Sequence, residues 1–500
     1  MYDAIIFTDV SGNHTSQIAI GAFKLANSLR QKGYKCLVIN HLSYFTADEL
    51  KNILDKSLSD KTKFIGFSTT FFRKPVSING HYNYEPMGIE TFFPQGKEFE
   101  DNIISYCKQL NPKIKIVVGG TKTTFNYTNK NADYVFIGYS EISIVNLINH
   151  LDNGEPLLNT KKNIYGIYIV DDRTAPAYDF VNDRMIWEET DIVNHKLLPI
   201  ELGRGCIFKC NFCSYPLNGK KNLNYVKNVK VLRAELIRNY ELYSISSYII
   251  VDDTFNDYTE KLNSIEYVVK SLPFQPKFWC YSRLDLIATR PETIHTLYNL
   301  GVRSFYFGIE SLHNLASRAV GKGFDKEKQI ETIATIKTTY PDVSLHGSFI
   351  VGLPEESEDH ILNTVDRIRS RDILLDSWVF HGLKIYKKGI QTFNSDFDLN
   401  YEKYGYEISV ETDNPYIVWK NKHFTYDSAT TLSEMIMQES RKLDSFKVPG
   451  HDAFQLTNYN YHFDELIKTP FNKFNFHNLG IVDTPNFIAI YKETLLKLLS

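Results

Sequence analysis

Cysteine is scarce: six in 500 residues, too few for a disulfide scaffold. A charge excess is missing as well. The 56 Lys and Arg face 59 Asp and Glu for a net charge of -3, so no global field pulls the chain toward nucleic acid or anionic lipid. No apolar run is long enough to cross a membrane. The opening Met1-Tyr2-Asp3-Ala4-Ile5-Ile6-Phe7 lacks the basic start and apolar stretch of a signal peptide. Internal repeats and low-complexity tracts are absent too. What is there is globular in composition, 43% hydrophobic and 23% charged, and at ~150 residues per domain it suffices for about three domains. The expectation is a cytoplasmic protein with reduced thiols, no membrane partner and no nucleic-acid partner.

The first 150 residues alternate strand-like and helix-like periods. Apolar runs at 4–8, 36–39, 63–68, 114–118 and 133–137 are five strand candidates, separated by patterns such as Ile18, Ala22, Leu25 and Leu29 at helical spacing. Thr46 and Glu49 form a capping-box signature. This rhythm predicts an α/β fold with a flavodoxin-like (Rossmann-type) parallel sheet. The stretch 71–95, dense in Phe, Tyr, Pro and Gly, reads as a long loop over the carboxyl ends of the strands, where such sheets bind ligands. Residues 151–195 read as a connector hairpin, with 165–170 and 185–187 flanking the turn-rich Asp171-Asp172-Arg173-Thr174-Ala175-Pro176. A second alternating region follows over 196–395. Its strands at 198–202, 248–251, 277–281, 304–307, 345–351 and 378–385 predict a partial, TIM-like (β/α)6 barrel, with function at the carboxyl ends of its strands. Residues 396–500 form a mixed C-terminal extension with one clear helix, 428–443.

Half of the cysteines fall within eight residues, in Arg204-Gly205-Cys206-Ile207-Phe208-Lys209-Cys210-Asn211-Phe212-Cys213. Three close thiolates suit zinc or an iron–sulfur cluster. Structural zinc wants a fourth Cys or His at short spacing, and the next cysteine is Cys280. Three thiolates on a four-iron cluster leave one iron open to a small molecule; buried thiols or zinc remain the plain alternative. This spacing, after the first barrel strand and with Phe212 ahead of the third cysteine, resembles the signature of the radical S-adenosylmethionine (radical SAM) superfamily.

Later strand ends match that family in order. Asp252 and Asp253 in Ile250-Val251-Asp252-Asp253-Thr254-Phe255 stand where it places polar groups on the methionine amino group. Arg283 in Tyr281-Ser282-Arg283-Leu284-Asp285 could pair with the methionine carboxylate. Gly308-Ile309-Glu310-Ser311 resembles the segment whose carboxylate accepts the ribose hydroxyls. Ile350, in Phe349-Ile350-Val351-Gly352-Leu353-Pro354-Glu355-Glu356-Ser357, stands where an apolar backbone flanks adenine, although Glu355 and Ser357 depart from the family's Gly and Thr. Ile385-Tyr386-Lys387-Lys388-Gly389 resembles the sixth-strand ending. Taken singly, the three acids could equally cap helices.

The resemblance implies a [4Fe–4S] cluster on Cys206, Cys210 and Cys213, with Phe212, Asp252, Asp253, Arg283, Glu310, Ser311 and Ile350 around S-adenosylmethionine. It implies reductive cleavage of that cofactor to a 5′-deoxyadenosyl radical that attacks an unactivated C–H bond. An external one-electron reductant such as flavodoxin or ferredoxin would serve it, and the substrate would be a small molecule or peptide. No side chain needs to be a strong base, and no Ser/His/Asp array is present. The N-terminal region resembles the cobalamin-binding members, many of them methyltransferases. Ser68, Gly119, Gly120 and Gly138 end its third to fifth strands, where glycine lets a backbone approach a flat macrocycle, and Gly138-Tyr139-Ser140-Glu141 imperfectly matches the family's Gly-Glu-Gly-Glu. The Asp-x-His-x-x-Gly source of a cobalt ligand is missing, and His14 stands without that context.

The leading expectation is therefore a cobalamin-dependent radical SAM methyltransferase. The alternatives are a cobalamin-independent radical SAM enzyme with a substrate-holding N-terminal domain, and a non-catalytic iron–sulfur or zinc protein. Gly119-Gly120-Thr121-Lys122-Thr123 lacks phosphate-loop spacing. Lys220, Lys221, Lys227, Lys230 and Arg233 read as the solvated face of the helix after the cluster.

Overall fold

A computed structural model describes every residue except 11–15, 79–80, 87–90, 121–122, 174–177, 216, 324, 389–392 and 413–414, and only the backbone of 73–78 and 81–86. His14, Thr121, Lys122, Thr174, Pro176 and Gly389 lie outside the described residues. The five expected N-terminal strands form as β1 (Ala4–Thr8), β2 (Cys36–Ile39), β3 (Phe64–Ser68), β6 (Lys115–Gly119) and β7 (Tyr134–Gly138). All pair in parallel, because each is apolar on both faces and is covered by helices on both sides. The capping box at Thr46 and Glu49 is present and starts the helix Ala47–Ser57.

Within 71–95, two strands, β4 (Arg73–Ile78) and β5 (His81–Pro86), pair antiparallel. The segment is thus a hairpin rather than a plain loop. Its aromatics are partly core: Phe92 and Phe93 are buried and pack their rings 4.6 and 4.9 Å from Phe67.

The expected connector hairpin is built from other residues. β8 (Thr160–Lys162) turns back on β9 (Tyr168–Asp172), and β9 joins β7 in parallel, so the hairpin completes a seven-stranded N-terminal sheet of order β2-β1-β3-β6-β7-β9-β8. Met185 and Trp187 are not strand but buried strap. Trp187 packs 5.2 Å from Phe23, Asp183 pairs with buried Lys24, and Asp191 takes Arg30 at 2.5 Å.

The second sheet has six parallel strands in sequential order: β10 (Leu197–Ile200), β11 (Ser247–Ile250), β12 (Lys277–Ser282), β13 (Val302–Glu310), β14 (Ser344–Val351) and β15 (Ser377–Gly382). This is the expected open barrel. The C-terminal extension adds an antiparallel pair, β16 (Glu407–Val410) and β17 (Val418–Lys420), and the helix Tyr426–Ser440. The helix Gly450–Leu456 lies against β12, β13 and β14, with His451 between the rings of Trp279 and Tyr306. The last helix, Thr484–Leu498, returns to the N-terminal sheet, where the Tyr491 hydroxyl accepts the Asn40 N–H at 2.9 Å.

Candidate active site

The cysteine loop runs from the end of β10 and folds back on itself. The Cys206 N–H donates to Leu217 O at 3.0 Å, and Cys206 O accepts from the Lys220 N–H at 3.0 Å. Gly205 sits at φ +117°, and a Cβ there would lie 2.4 Å from Leu217 O, so only glycine permits this closure. All three thiols open into one cavity of about 1060 Å³ at the carboxyl ends of the barrel strands. Donors converge on them: the Phe208 N–H reaches Cys206 Sγ and Arg283 Nη1 reaches Cys210 Sγ, both at 3.4 Å. Burial pushes the Cys213 thiol up to about 11, which binding of iron would reverse by replacing the proton. Among the described residues no three Cys, His, Asp or Glu side chains converge as a single metal ion needs.

The expected S-adenosylmethionine residues divide into two groups. Phe212, Asp253, Arg283, Glu310 and Ile350 line the cavity. Burial, with the negative charges of Asp252 and Glu201 adding to it, raises the Asp253 carboxyl to about 7. Arg283 forks onto Asp285 at 2.6 and 3.0 Å and lies 3.8 Å over the Phe208 ring. Glu310 takes Lys322 at 2.8 Å, and the same ammonium donates to Gly308 O at 2.7 Å.

Asp252 and Ser311 are elsewhere. Asp252 is fully buried, takes the Leu202 N–H and the Lys261 ammonium, each at 2.8 Å, and ties β10 to β11. Ser311 donates to the buried carboxylate of Glu356 and accepts the His313 N–H. Neither is among the residues lining the cavity, because each side chain is turned to partners within the protein. Lys227 is also misread as solvated: it is buried and paired with Glu235 at 2.7 Å.

Glu356 has a measurable consequence. Burial raises its carboxyl from 4.5 to about 8, against the Ser311 hydrogen bond. The folded protein then keeps a proton that the unfolded chain releases. Stability from this group is full below about pH 4.5 and falls until about pH 8. Thermal unfolding of Glu356→Gln should show a flatter pH dependence over that window; identical profiles would deny the group this role.

A second cavity, about 330 Å³, lies at the carboxyl ends of the N-terminal sheet and is lined by Ser68, Gly119, Gly120 and Gly138 together. Its floor is apolar, from Ile6, Val117, Phe136 and Ile144. Gly120 (φ +127°) and Gly138 (φ +105°) press against neighbouring backbone, each 2.8 Å from where a Cβ would stand. At Gly119, by contrast, a Cβ would make only ordinary van der Waals contact, its nearest neighbour being Phe136 Cβ at 3.9 Å. No histidine is among the described residues lining this cavity. Tyr215, two residues past Cys213, lines both cavities.

Several site residues carry no motif. Lys322 follows Glu310 at no telling spacing. One wall of the larger cavity is the helix Tyr426–Ser440 and its end, through Thr430, Ser433, Glu434, Met437, Gln438 and Arg441. That i, i+3, i+4 stripe is readable, but a polar stripe reads as a face turned to solvent.

Residues 200–368 match the family model of the Radical SAM superfamily. The chain is 25% identical over 357 residues to the uncharacterized methyltransferase PH0819 of Pyrococcus horikoshii, covering 66% of this chain and 73% of that protein. It is 22% identical over 292 residues to the tRNA-2-methylthio-N(6)-dimethylallyladenosine synthase of Petrotoga mobilis, spanning 52% of this chain and 58% of the relative. In fold it is similar to the radical S-adenosylmethionine methyltransferase TsrM of Kitasatospora setae (TM-score 0.60, 14% identity, 83% of this chain and 79% of that one). It is also similar to the cobalamin-dependent S-adenosylmethionine radical enzyme OxsB (TM-score 0.61, 14% identity, 100% and 80%).

Proposed function

We propose that this chain, which carries a radical SAM superfamily domain over residues 200–368, is a cobalamin-dependent methyltransferase acting at an unactivated carbon of a small molecule. The observation that carries this reading is the adjacency of the two cavities, which share Tyr215 of the cysteine loop as a lining residue. Cys206, Cys210 and Cys213 would hold the [4Fe–4S] cluster, and their amide and guanidinium donors suit thiolates. The second cavity fits a corrin edge on three counts: the glycines at its rim, which carry no side chain into it, the apolar floor, and the Glu141 Oε2 atom, buried without a hydrogen-bond partner and in need of a donor such as a corrin amide. When bound, the cluster supplies an electron to S-adenosylmethionine and so a hydrogen-abstracting radical, while cobalamin supplies the methyl group.

This chain's residues bind and orient. Asp253 would meet the methionine ammonium, Arg283 its carboxylate, Glu310 the ribose and Ile350 the adenine. The helix wall would face the substrate, with Glu434, Gln438 and Arg441 offering both charges and an amide. Phe212, Tyr281, Tyr306 and Phe380 line the same space and, with substrate bound, would keep water from the radical. The reading draws further support from the likeness to the Pyrococcus methyltransferase, to the methyltransferase TsrM and to the cobalamin-dependent enzyme OxsB.

Two substitutions separate these halves. Glu310→Gln should weaken S-adenosylmethionine binding ~10- to 100-fold while the cluster stays assembled, the range expected for one charged hydrogen bond. Arg441→Gln, at a group assigned here to the substrate, should leave that affinity within about twofold. A titration in which Arg441→Gln weakens binding and Glu310→Gln does not would reverse the assignment. For the corrin, His14→Ala should retain cobalamin, and loss of cobalt from that variant would make the histidine its ligand.

A further inference from the structure

We infer that Glu141 is a corrinoid-binding residue, and that through Arg204 it makes cobalamin occupancy and assembly of the cysteine loop depend on each other. This rests on the function proposed above. Glu141 follows β7 and lines the second cavity, with a side chain 5% exposed. Its Oε1 accepts from Arg204 Nη1 at 2.6 Å, while Oε2 is buried with no hydrogen-bond partner. A buried carboxylate oxygen left in this state demands a donor. The periphery of a corrin carries primary amides, which are N–H donors. The Gly138-Tyr139-Ser140-Glu141 segment that sequence matches only loosely thus keeps an acid that lines the cavity.

Arg204 carries the contact onward. It stands two residues before Cys206 and forks onto Glu201 at 2.7 and 2.9 Å. Its guanidinium also lies 5.3 Å from the Tyr139 ring and 5.1 Å from the Phe180 ring. Glu141, Arg204 and Glu201 therefore form one buried chain from the edge of the corrin cavity to the foot of the cysteine loop. A planar fork held on both sides transmits a preference in orientation that a lysine would not. Arg204 is a positioning residue here, whereas Glu141 touches the ligand.

Linkage sets the test, since a coupling between two sites must be equal in both directions. Hydroxocobalamin is titrated anaerobically into full-length protein with the iron–sulfur cluster loaded and into protein stripped of it. Wild type should bind the corrinoid about 5- to 100-fold more tightly with the cluster present, within the usual span of such couplings. Glu141→Gln, of the same shape, should weaken binding about tenfold or more in both forms and bring the ratio near one. Arg204→Lys should keep binding in the stripped form while losing the ratio. Release of iron to a chelator, slowed by hydroxocobalamin in wild type alone, gives the reciprocal readout. Equal affinities in the two wild-type forms would overturn the coupling, and unchanged affinity in Glu141→Gln would overturn the contact. Absence of any corrinoid binding by wild type would remove the function it rests on as well.

Discussion

Protein in which Cys206, Cys210 and Cys213 are all alanine is expected to come through anaerobic reconstitution with no bound iron or sulfide, and without the absorbance of the wild-type cluster. The reason is chemical: iron in such clusters is held by thiolates. Cys36, Cys107 and Cys280 cannot substitute, because each is buried away from the cavity. The fold should survive, since the loop is closed by its backbone hydrogen bonds and the barrel strands do not include it. Iron and sulfide at wild-type levels in the triple variant would remove the cluster from this site.

Loss of cobalamin from Gly119→Leu, with iron content unchanged, is the second large effect expected. A Cβ at Gly119 meets nothing closer than 3.9 Å, an ordinary van der Waals contact, so the backbone tolerates a side chain there and the bulk of leucine would extend toward the cavity that Gly119 lines. Gly120 offers no such clean experiment. Its positive φ and the 2.8 Å approach of Thr69 Oγ1 and the Thr70 nitrogen mean that any Cβ would disturb the backbone just past the ends of β3 and β6. The two adjacent glycines, interchangeable in sequence, therefore make different variants. Cobalt retained by Gly119→Leu after desalting would place the corrin elsewhere. No cobalt in wild type would leave cobalamin-independent radical chemistry as the reading of the barrel.

What the sequence made legible follows from range. β1 and β2 are short apolar runs bounded by turns, and such runs in a chain rich in intervening helices have few ways to pack. Glycines at strand ends were legible for the same reason, and Ser68, Gly119, Gly120 and Gly138 do meet in one cavity. β9 was not, because Tyr168–Asp172 has the pattern of a hairpin arm and only its distant partner β7 decides that it extends a parallel sheet. Asp252 and Ser311 show a finer limit. Each sits beside a residue that faces the cavity, and a motif in letters does not say which of two neighbours turns inward. Lys227 reads as solvated until Glu235 is seen beneath it. The polar stripe on the helix Tyr426–Ser440 differs from an ordinary exposed face only by what stands opposite.

The central claim is that the two cavities serve one reaction on S-adenosylmethionine. It is tested most directly by anaerobic incubation of the cluster-loaded, cobalamin-loaded protein with S-adenosylmethionine and a one-electron reductant, assaying two products. The account predicts both 5′-deoxyadenosine, from radical cleavage, and S-adenosylhomocysteine, from methyl transfer to cobalt, with the second lost in Gly119→Leu. Intact S-adenosylmethionine after incubation with a protein carrying its full complement of iron would contradict it.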